Sequence, residues 1–334
     1  MGENNQFVHI AVTGASGRIG NVVVRQLIQA GYQVRVLLRR ESPALAGLPV
    51  ETIQGHLLDT RALQDLCKGA DAVIHLAAVI SIQGDPDGKV HQANVEGTRL
   101  MLHAALANGV RRVICFSSVH AFRQAPQTHP IDETRALAFD STMAYDRSKA
   151  AALRLALDMA TANPSTEILA LCPTAVLGPW DFEPSLAGQM LLDLYRRKIP
   201  MLTPGGFDWC DVTDVAGAAV AALHRGRSGE AYLLPGTYAT LLQVAALAEK
   251  VTGVPAPTRT VPFGLLQLGL PFVQLFSKIS GKRPLFTHES LETVKNGALQ
   301  VSGQKASQEL GYTARPLEQT IAGAYQWFDQ FGYL

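Results

Sequence analysis

The order of apolar runs predicts an α/β fold: a doubly wound parallel sheet with helices on both faces, followed by a smaller, mostly helical C-terminal lobe. Three observations predict it. Short apolar runs alternate with helical patterns through the first 175 of 334 residues. A glycine-rich turn joins the first run to the first helical stretch. Beyond residue 175 the alternation loosens into loops marked by Pro200, Pro204, Gly205 and Gly206. Regular β-α alternation gives parallel strands, because each helix carries the chain back along the sheet.

The composition supports a sizeable core, with 47% hydrophobic and 17% charged residues, and argues against disorder. A net charge of +1 leaves no basic surplus for nucleic acid. Cys67, Cys115, Cys172 and Cys210 are scattered, with neither metal spacing nor a disulfide framework. They read as free thiols of a reducing compartment. No charged n-region precedes an apolar run at the N-terminus, so no signal peptide is expected. The expectation is a soluble, cytoplasmic protein.

Residues 7–12 form the first strand and lead into Thr13-Gly14-Ala15-Ser16-Gly17-Arg18-Ile19-Gly20; a helix over 21–30 stops at Gly31. Strand, Gly-rich turn and helix are the context of a dinucleotide fingerprint. The glycines allow close backbone approach, and the helix N-terminus offers N–H groups to a pyrophosphate. The fold expected is therefore Rossmann-type. The second strand, 33–38, ends where NAD-binding folds carry an acid for the ribose hydroxyls. Here the chain reads Leu38-Arg39-Arg40. A carboxylate there would repel a 2′-phosphate, whereas Arg binds one bidentately. NADP is expected rather than NAD.

Strands over 50–54, 72–78, 112–116 and 166–171 continue the sheet, with helices over 60–68, 92–108 and 142–162. Ligands bind beyond the carboxyl ends of such strands. Gly55-His56-Leu57, Ala77-Ala78 and Ser117-Ser118 fall there. On the helix over 142–162, Tyr145 and Lys149 are four apart and share a face. A free Tyr titrates near ~10. A neighbouring ammonium favours the phenolate, making the Tyr a usable acid or base. The pair alone is a weak signal; the nucleotide turn before it gives it weight.

A strand over 207–212 and a helix over 213–224 are expected to return to the first domain, so that 1–175 with 207–228 binds the nucleotide. Residues 176–206 and 229–334 then form the substrate lobe, including the run 230–234 and a helix over 240–251. The apolar stretch 261–281 is about long enough to span a bilayer. Pro262, Gly264, Gly269 and Pro271 interrupt it, so no stable span is expected. An amphipathic helix pair packing on the lobe or over an apolar pocket fits better, with membrane-surface contact a minor alternative. Short helices are expected over 287–295, 303–310 and 316–331. Phe122, Phe139, Trp180, Phe182, Trp209 and Tyr238 suggest an apolar substrate wall, although ordinary core packing explains most of them singly. His91, His120 and His129 have no metal spacing and read as structural or loop residues.

Taken together, the motifs resemble the extended short-chain dehydrogenase/reductase family. They are TGxxGxxG at 13–20, Ser117-Ser118, Tyr145 with Lys149, Ala72-Val73-Ile74-His75-Leu76-Ala77-Ala78 and Asn94-Val95-Glu96-Gly97-Thr98. Cys172-Pro173-Thr174-Ala175-Val176-Leu177-Gly178-Pro179 and Trp209-Cys210-Asp211-Val212-Thr213-Asp214-Val215-Ala216 extend the likeness over nearly the whole chain. Val34-Arg35 followed by Arg39 is similar to the dihydroflavonol-4-reductase-like and 3β-hydroxysteroid-dehydrogenase-like group.

The resemblance implies a catalytic set of Ser118, Tyr145 and Lys149. It implies a cofactor seat of Gly14, Ser16, Gly17, Arg18, Ile19, Gly20, Arg39, His56, Leu57, Ala77, Ala78, Pro173 and Val176, shared with Tyr145 and Lys149. No metal is expected. Two positions depart from the family: His56 stands where Asp is usual, and Phe122-Arg123 where Tyr-Gly is usual. The expected activity is reversible, NADPH-dependent reduction of a ketone or aldehyde of an apolar or aromatic small molecule, with Tyr145 giving the proton. Two alternatives stand beside it. One is a nucleotide-sugar epimerase or dehydratase on the same fold, a type that usually holds NAD. The other is a non-catalytic NADP-binding redox regulator, a type that tends to lose the catalytic Tyr. The expected partner is a small carbonyl compound, and the chain is expected to be a monomer or homodimer.

Overall fold

The computed structural model describes residues 7–81, 84–126, 129–267, 291, 294, 297 and 300–334. Seven parallel strands form the main sheet: β1 (His9–Thr13), β2 (Gln33–Leu38), β3 (Val50–Gln54), β4 (Ala72–His75), β5 (Arg112–Phe116), β6 (Glu167–Pro173) and β9 (Ala231–Leu234), in the order β3-β2-β1-β4-β5-β6-β9. The order in which strands are added reverses between β1 and β4, which pair parallel in register from Ile10↔Ala72 to Thr13↔His75. Connections leaving these two strands diverge to opposite sides, and the crevice between them is where such sheets take ligands.

Both faces of the sheet are covered, so the strands read as continuous apolar runs rather than alternating ones. Along β1, Ile10 and Val12 enter one core and Ala11 the other, as the two-residue period requires. On the first face α1 (Arg18–Gln29) packs against α7 (Val212–Ala221). On the second, α2 (Thr60–Cys67), α4 (Gly97–Ala107) and α5 (Ala144–Ala162) bury Leu63, Leu66, Met101, Leu102 and Leu153.

The lobe has its own core, in which Leu191 of α6 (Leu186–Tyr195) and Val244 of α8 (Leu241–Thr252) meet Ile321 and Phe328 of the helix Leu317–Gln330. It also holds a three-stranded sheet, with β8 (Gly206–Asp211) parallel to β7 (Ala175–Leu177) and antiparallel to β10 (Thr237–Thr240).

Three expectations are corrected here. The strand expected to rejoin the main sheet, β8, belongs to the lobe's sheet; only α7 returns. The run 231–234, expected in the lobe, is the seventh main-sheet strand, because all four residues are buried and Tyr232 and Leu233 enter opposite cores. The helix Gln304–Leu310 likewise packs on the main sheet, through Ala306 and Leu310. The expected pair of helices over 261–281 lies outside the described residues apart from 261–267, as does most of the helix expected over 287–295.

Candidate active site

At the end of β1, Gly14 has φ +71°, and a Cβ there would lie 2.6 Å from the Ala77 nitrogen beyond β4. A Cβ on Gly20 would lie 2.1 Å from the Gly14 carbonyl oxygen. The turn thus closes only with glycine at both positions, and it brings the exits of β1 and β4 together. Gly17 is the N-cap of α1, with no side-chain cap and no acid in the first turn. The helix end therefore presents N–H groups and positive dipole to the crevice, a fit for a dinucleotide pyrophosphate. Ser16 is exposed in this turn and Ile19 packs on the core.

Arg18 turns toward the lobe. Its Nη1 donates to Ser185 Oγ at 2.8 Å and lies 3.9 Å from Asp181, and burial lowers its pKa. Arg39 is exposed beyond β2 and makes no ion pair or hydrogen bond among the described residues. Arg40 reaches Glu183 at 3.4 Å, but both are more than 80% exposed, so that pair contributes little. His56 is exposed, with Nδ1 accepting from the Leu58 nitrogen at 3.2 Å. Leu57 is half-buried against Gly97 and Val176 is buried in the core, while Ala78 is exposed beyond β4.

Ser118 follows β5 and caps a single helical turn, Val119–Ala121, its Oγ accepting from the His120 nitrogen at 3.2 Å. Helix α5 packs against that turn and against β6, so Tyr145 and Lys149 face the end of β5. Lys149 is 6% exposed; its Nζ donates to the Phe116 carbonyl at 3.2 Å and lies 6.0 Å from the Tyr145 ring centre. Burial pulls Lys149 down to about 8. It pushes Tyr145 up to about 12, opposed by the Ser118 hydroxyl and reinforced by the Asp146 charge. Lys149, its Nζ 6.0 Å from the ring centre, is not among the groups that shift Tyr145, so the lowering expected from the ammonium is not seen and loss of water dominates. A Tyr with a raised pKa is a proton donor at neutral pH, which suits it to an alkoxide forming beside it.

A buried chain of hydrogen bonds links this helix to the exits of β1 and β4 beside the glycine-rich turn. The Ala77 nitrogen donates to Thr13 Oγ1 at 3.3 Å, and Thr13 Oγ1 meets His75 Nδ1 at 2.7 Å. His75 Nε2 meets Thr98 Oγ1 at 3.1 Å, and that hydroxyl donates to the Asn94 carbonyl at 2.7 Å. With Thr98 donating onward, Nε2 must carry the ring proton and Nδ1 must accept. Burial, with Lys149 nearby, lowers His75 to about 3, so the ring is neutral. The Asn94 side chain donates to Ser148 Oγ at 2.9 Å, and Ser148 donates to the Tyr145 carbonyl at 2.7 Å. Asn94 lies in a π-helical turn, Gln92–Glu96, where one extra residue turns it inward. His75 and Asn94 had no site role by sequence. The signals were a His inside an otherwise apolar strand and the place of both residues in motifs that carry the family resemblance.

Beside Tyr145 opens a cleft of about 330 Å³, lined by His120, Arg123, Ser141, Asp146, Phe207 and Asp208 among others. None of the six aromatics expected as a substrate wall is among the described lining residues. Phe122 and Trp209 are core residues, and Trp180 and Phe182 pack with Trp327. Among the described residues no cluster of His, Cys, Asp or Glu is arranged to hold a metal.

The sequence model of the NAD dependent epimerase/dehydratase family matches residues 10–234. The chain belongs to that family. Sterol demethylase protein B of Methylococcus capsulatus is 32% identical over 329 residues, 97% of this chain and 99% of that protein. A Synechocystis sp. protein provisionally named dihydroflavonol 4-reductase is 32% identical over 345 aligned positions, 99% of each chain. The crystal structure of gox2253 superposes with a TM-score of 0.83 at 30% identity, covering 98% of this chain and 100% of that one. The epimerase/dehydratase family member described here is an extended short-chain dehydrogenase/reductase, an oxidoreductase of NAD(P)-dependent type.

Proposed function

We propose that the protein reduces the carbonyl of an uncharged small molecule to an alcohol, reversibly, using NADPH. The observation that carries this is the convergence of Ser118, Tyr145 and Lys149 at the end of β5, beside a cleft of about 330 Å³. NADPH supplies the hydride. Tyr145 donates a proton to the carbonyl oxygen, and the Ser118 hydroxyl hydrogen-bonds the same oxygen. Lys149, fixed by the Phe116 carbonyl, puts positive charge near the Tyr and would hold the cofactor's ribose. Gly14, Gly17 and Gly20 let the backbone approach the pyrophosphate, and exposed Arg39 is free to pair with a 2′-phosphate.

Cleft charge favours this reading over nucleotide-sugar epimerisation. Asp140, Asp146 and Asp208 line it against one guanidinium, Arg123, among the described residues. A diphosphate would bring more negative charge to that wall. Its polar lining supports an uncharged substrate that also hydrogen-bonds, rather than a purely apolar one. The four cysteines are buried free thiols, in keeping with a reducing cytoplasm, and among the described residues no helix is long and apolar enough to cross a membrane. The test is NADPH consumption with aldehydes, ketones and nucleotide sugars. Turnover of a nucleotide sugar without net NADPH consumption would move the protein to the epimerase reading.

A further inference from the structure

One pair of cleft residues has no part in the hydride chemistry. Asp146 is 3% exposed yet lines the cleft. Its Oδ2 accepts from Ser141 Oγ at 2.9 Å. Its Oδ1 faces His120 Nδ1 at 3.2 Å, and both atoms are shut away from solvent. The carboxylate thus sits behind the imidazole and holds the ring's orientation, with no open edge of its own at Oδ1. The His120 side chain is 25% exposed although Nδ1 is shut away, so the ring's other edge, with Nε2, is what it offers the cleft. The same ring packs edge-on against Tyr145, with centroids 5.8 Å apart. The neighbouring charged groups are engaged elsewhere: Arg123 with Asp140 at 2.8 Å, and Asp208 with Thr174 at 2.7 Å and the Gly236 nitrogen at 2.6 Å.

We propose that His120, positioned by Asp146, is a specificity determinant that seats a hydroxyl group of the substrate, next to the carbonyl that Tyr145 protonates. This rests on the carbonyl-reduction reading and adds a substrate class to it: carbonyl compounds carrying a hydroxyl as a second anchor. A hydroxyl both donates and accepts, so its hydrogen can go to His120 Nε2, the ring edge that faces the cleft, while Asp146 Oδ1 stands behind the ring at Nδ1. Asp146 is already fixed by Ser141, and His120 by Asp146 and Tyr145, so the anchor is built before the substrate arrives. Sites that hydrogen-bond a substrate hydroxyl reject analogues without it, because their polar groups are then left unpaired.

The test compares 2-hydroxyacetophenone with acetophenone by kcat/KM for NADPH oxidation, in wild type, His120→Phe and His120→Gln. Wild type is expected to prefer the hydroxy ketone by about tenfold or more. The ratio should fall to within about twofold in His120→Phe and recover in part in His120→Gln, which keeps a polar end. NADPH fluorescence titration checks that each variant is folded. Binding of 1-phenylethane-1,2-diol and of 1-phenylethanol to the NADP-loaded protein is measured alongside by calorimetry. If neither ketone turns over but the diol binds more tightly and His120→Phe removes that difference, the anchor stands and the reduction reading falls. Equal handling of each pair by wild type, or a preference that survives in His120→Phe, overturns the proposal.

Discussion

Lys149 Nζ donates to the Phe116 carbonyl across 3.2 Å, tying α5 to the last residue of β5, two positions before Ser118. That bond holds an ammonium where water is scarce, and the folded pKa falls from 10.5 to about 8. Below about 8 the side chain is charged in both states and burial costs its full amount; from about 8 to 10.5 the folded protein loses the proton first. Stability contributed by this group therefore rises with pH across that window. Lys149→Met should be more stable than wild type at about pH 7 by a few kcal/mol in order of magnitude, less the loss of a donor for Phe116. The gap should shrink by about pH 9.5. Urea denaturation at both values measures it, and a gap independent of pH would refute the buried-charge account.

Tyr145 is the group with a proton to give, so Tyr145→Phe should lower kcat by ~10²–10⁴-fold. NADPH affinity should change little, since the ring remains. Ser118→Ala should cost less, because it removes one hydrogen bond to the same oxygen. Steady-state rates with the best carbonyl substrate decide this; wild-type turnover in Tyr145→Phe would take that residue out of the chemistry.

Arg39 has no partner among the described residues and stands beyond β2, where a 2′-phosphate would lie. Arg39→Asp should weaken NADP binding by a few kcal/mol in order of magnitude, through loss of a charge-assisted pair and added repulsion. NAD binding should fall less or improve. Calorimetry on wild type checks the premise: tighter NAD than NADP would contradict it.

His75 bridges Thr13 and Thr98 as a neutral ring, its pKa lowered from 6.5 to about 3. Between those values the unfolded chain binds a proton that the folded one refuses, so stability falls as pH drops from 6.5 toward 3. His75→Phe should cost about 1–3 kcal/mol near neutral pH, from buried hydroxyls left short of partners. The variant should also lose stability less steeply in acid. Denaturation curves at several pH values compare the slopes, and parallel curves would mean that His75 titrates freely when folded.

Much of this was legible in the sequence because the relevant signals are local. Strands β1, β2 and β5 are buried on both faces, so they stand out as apolar runs. The Gly14–Gly20 spacing and the Tyr145–Lys149 spacing each lie within one turn or helix. What stayed hidden is non-local. The run Ala231–Leu234 could extend either sheet, and only its pairing with β6 decides. Asn94 enters the site through a π-helical turn that no spacing announces. His120 gains its meaning from Asp146, 26 positions later, once α5 has packed on the turn after β5.

The placement of β9 also bears on how the chain is made. Its partner β6 ends at Pro173, and the register Ala170↔Ala231 spans about sixty residues that build much of the lobe. During synthesis the sheet must wait one strand short, with the edge of β6 uncovered, until residue 234 leaves the ribosome. The two bodies are therefore interleaved rather than strung in series. A fragment cut after residue 175 would expose that edge to other chains, and a lobe borrowed from a relative would need several crossover points to fit.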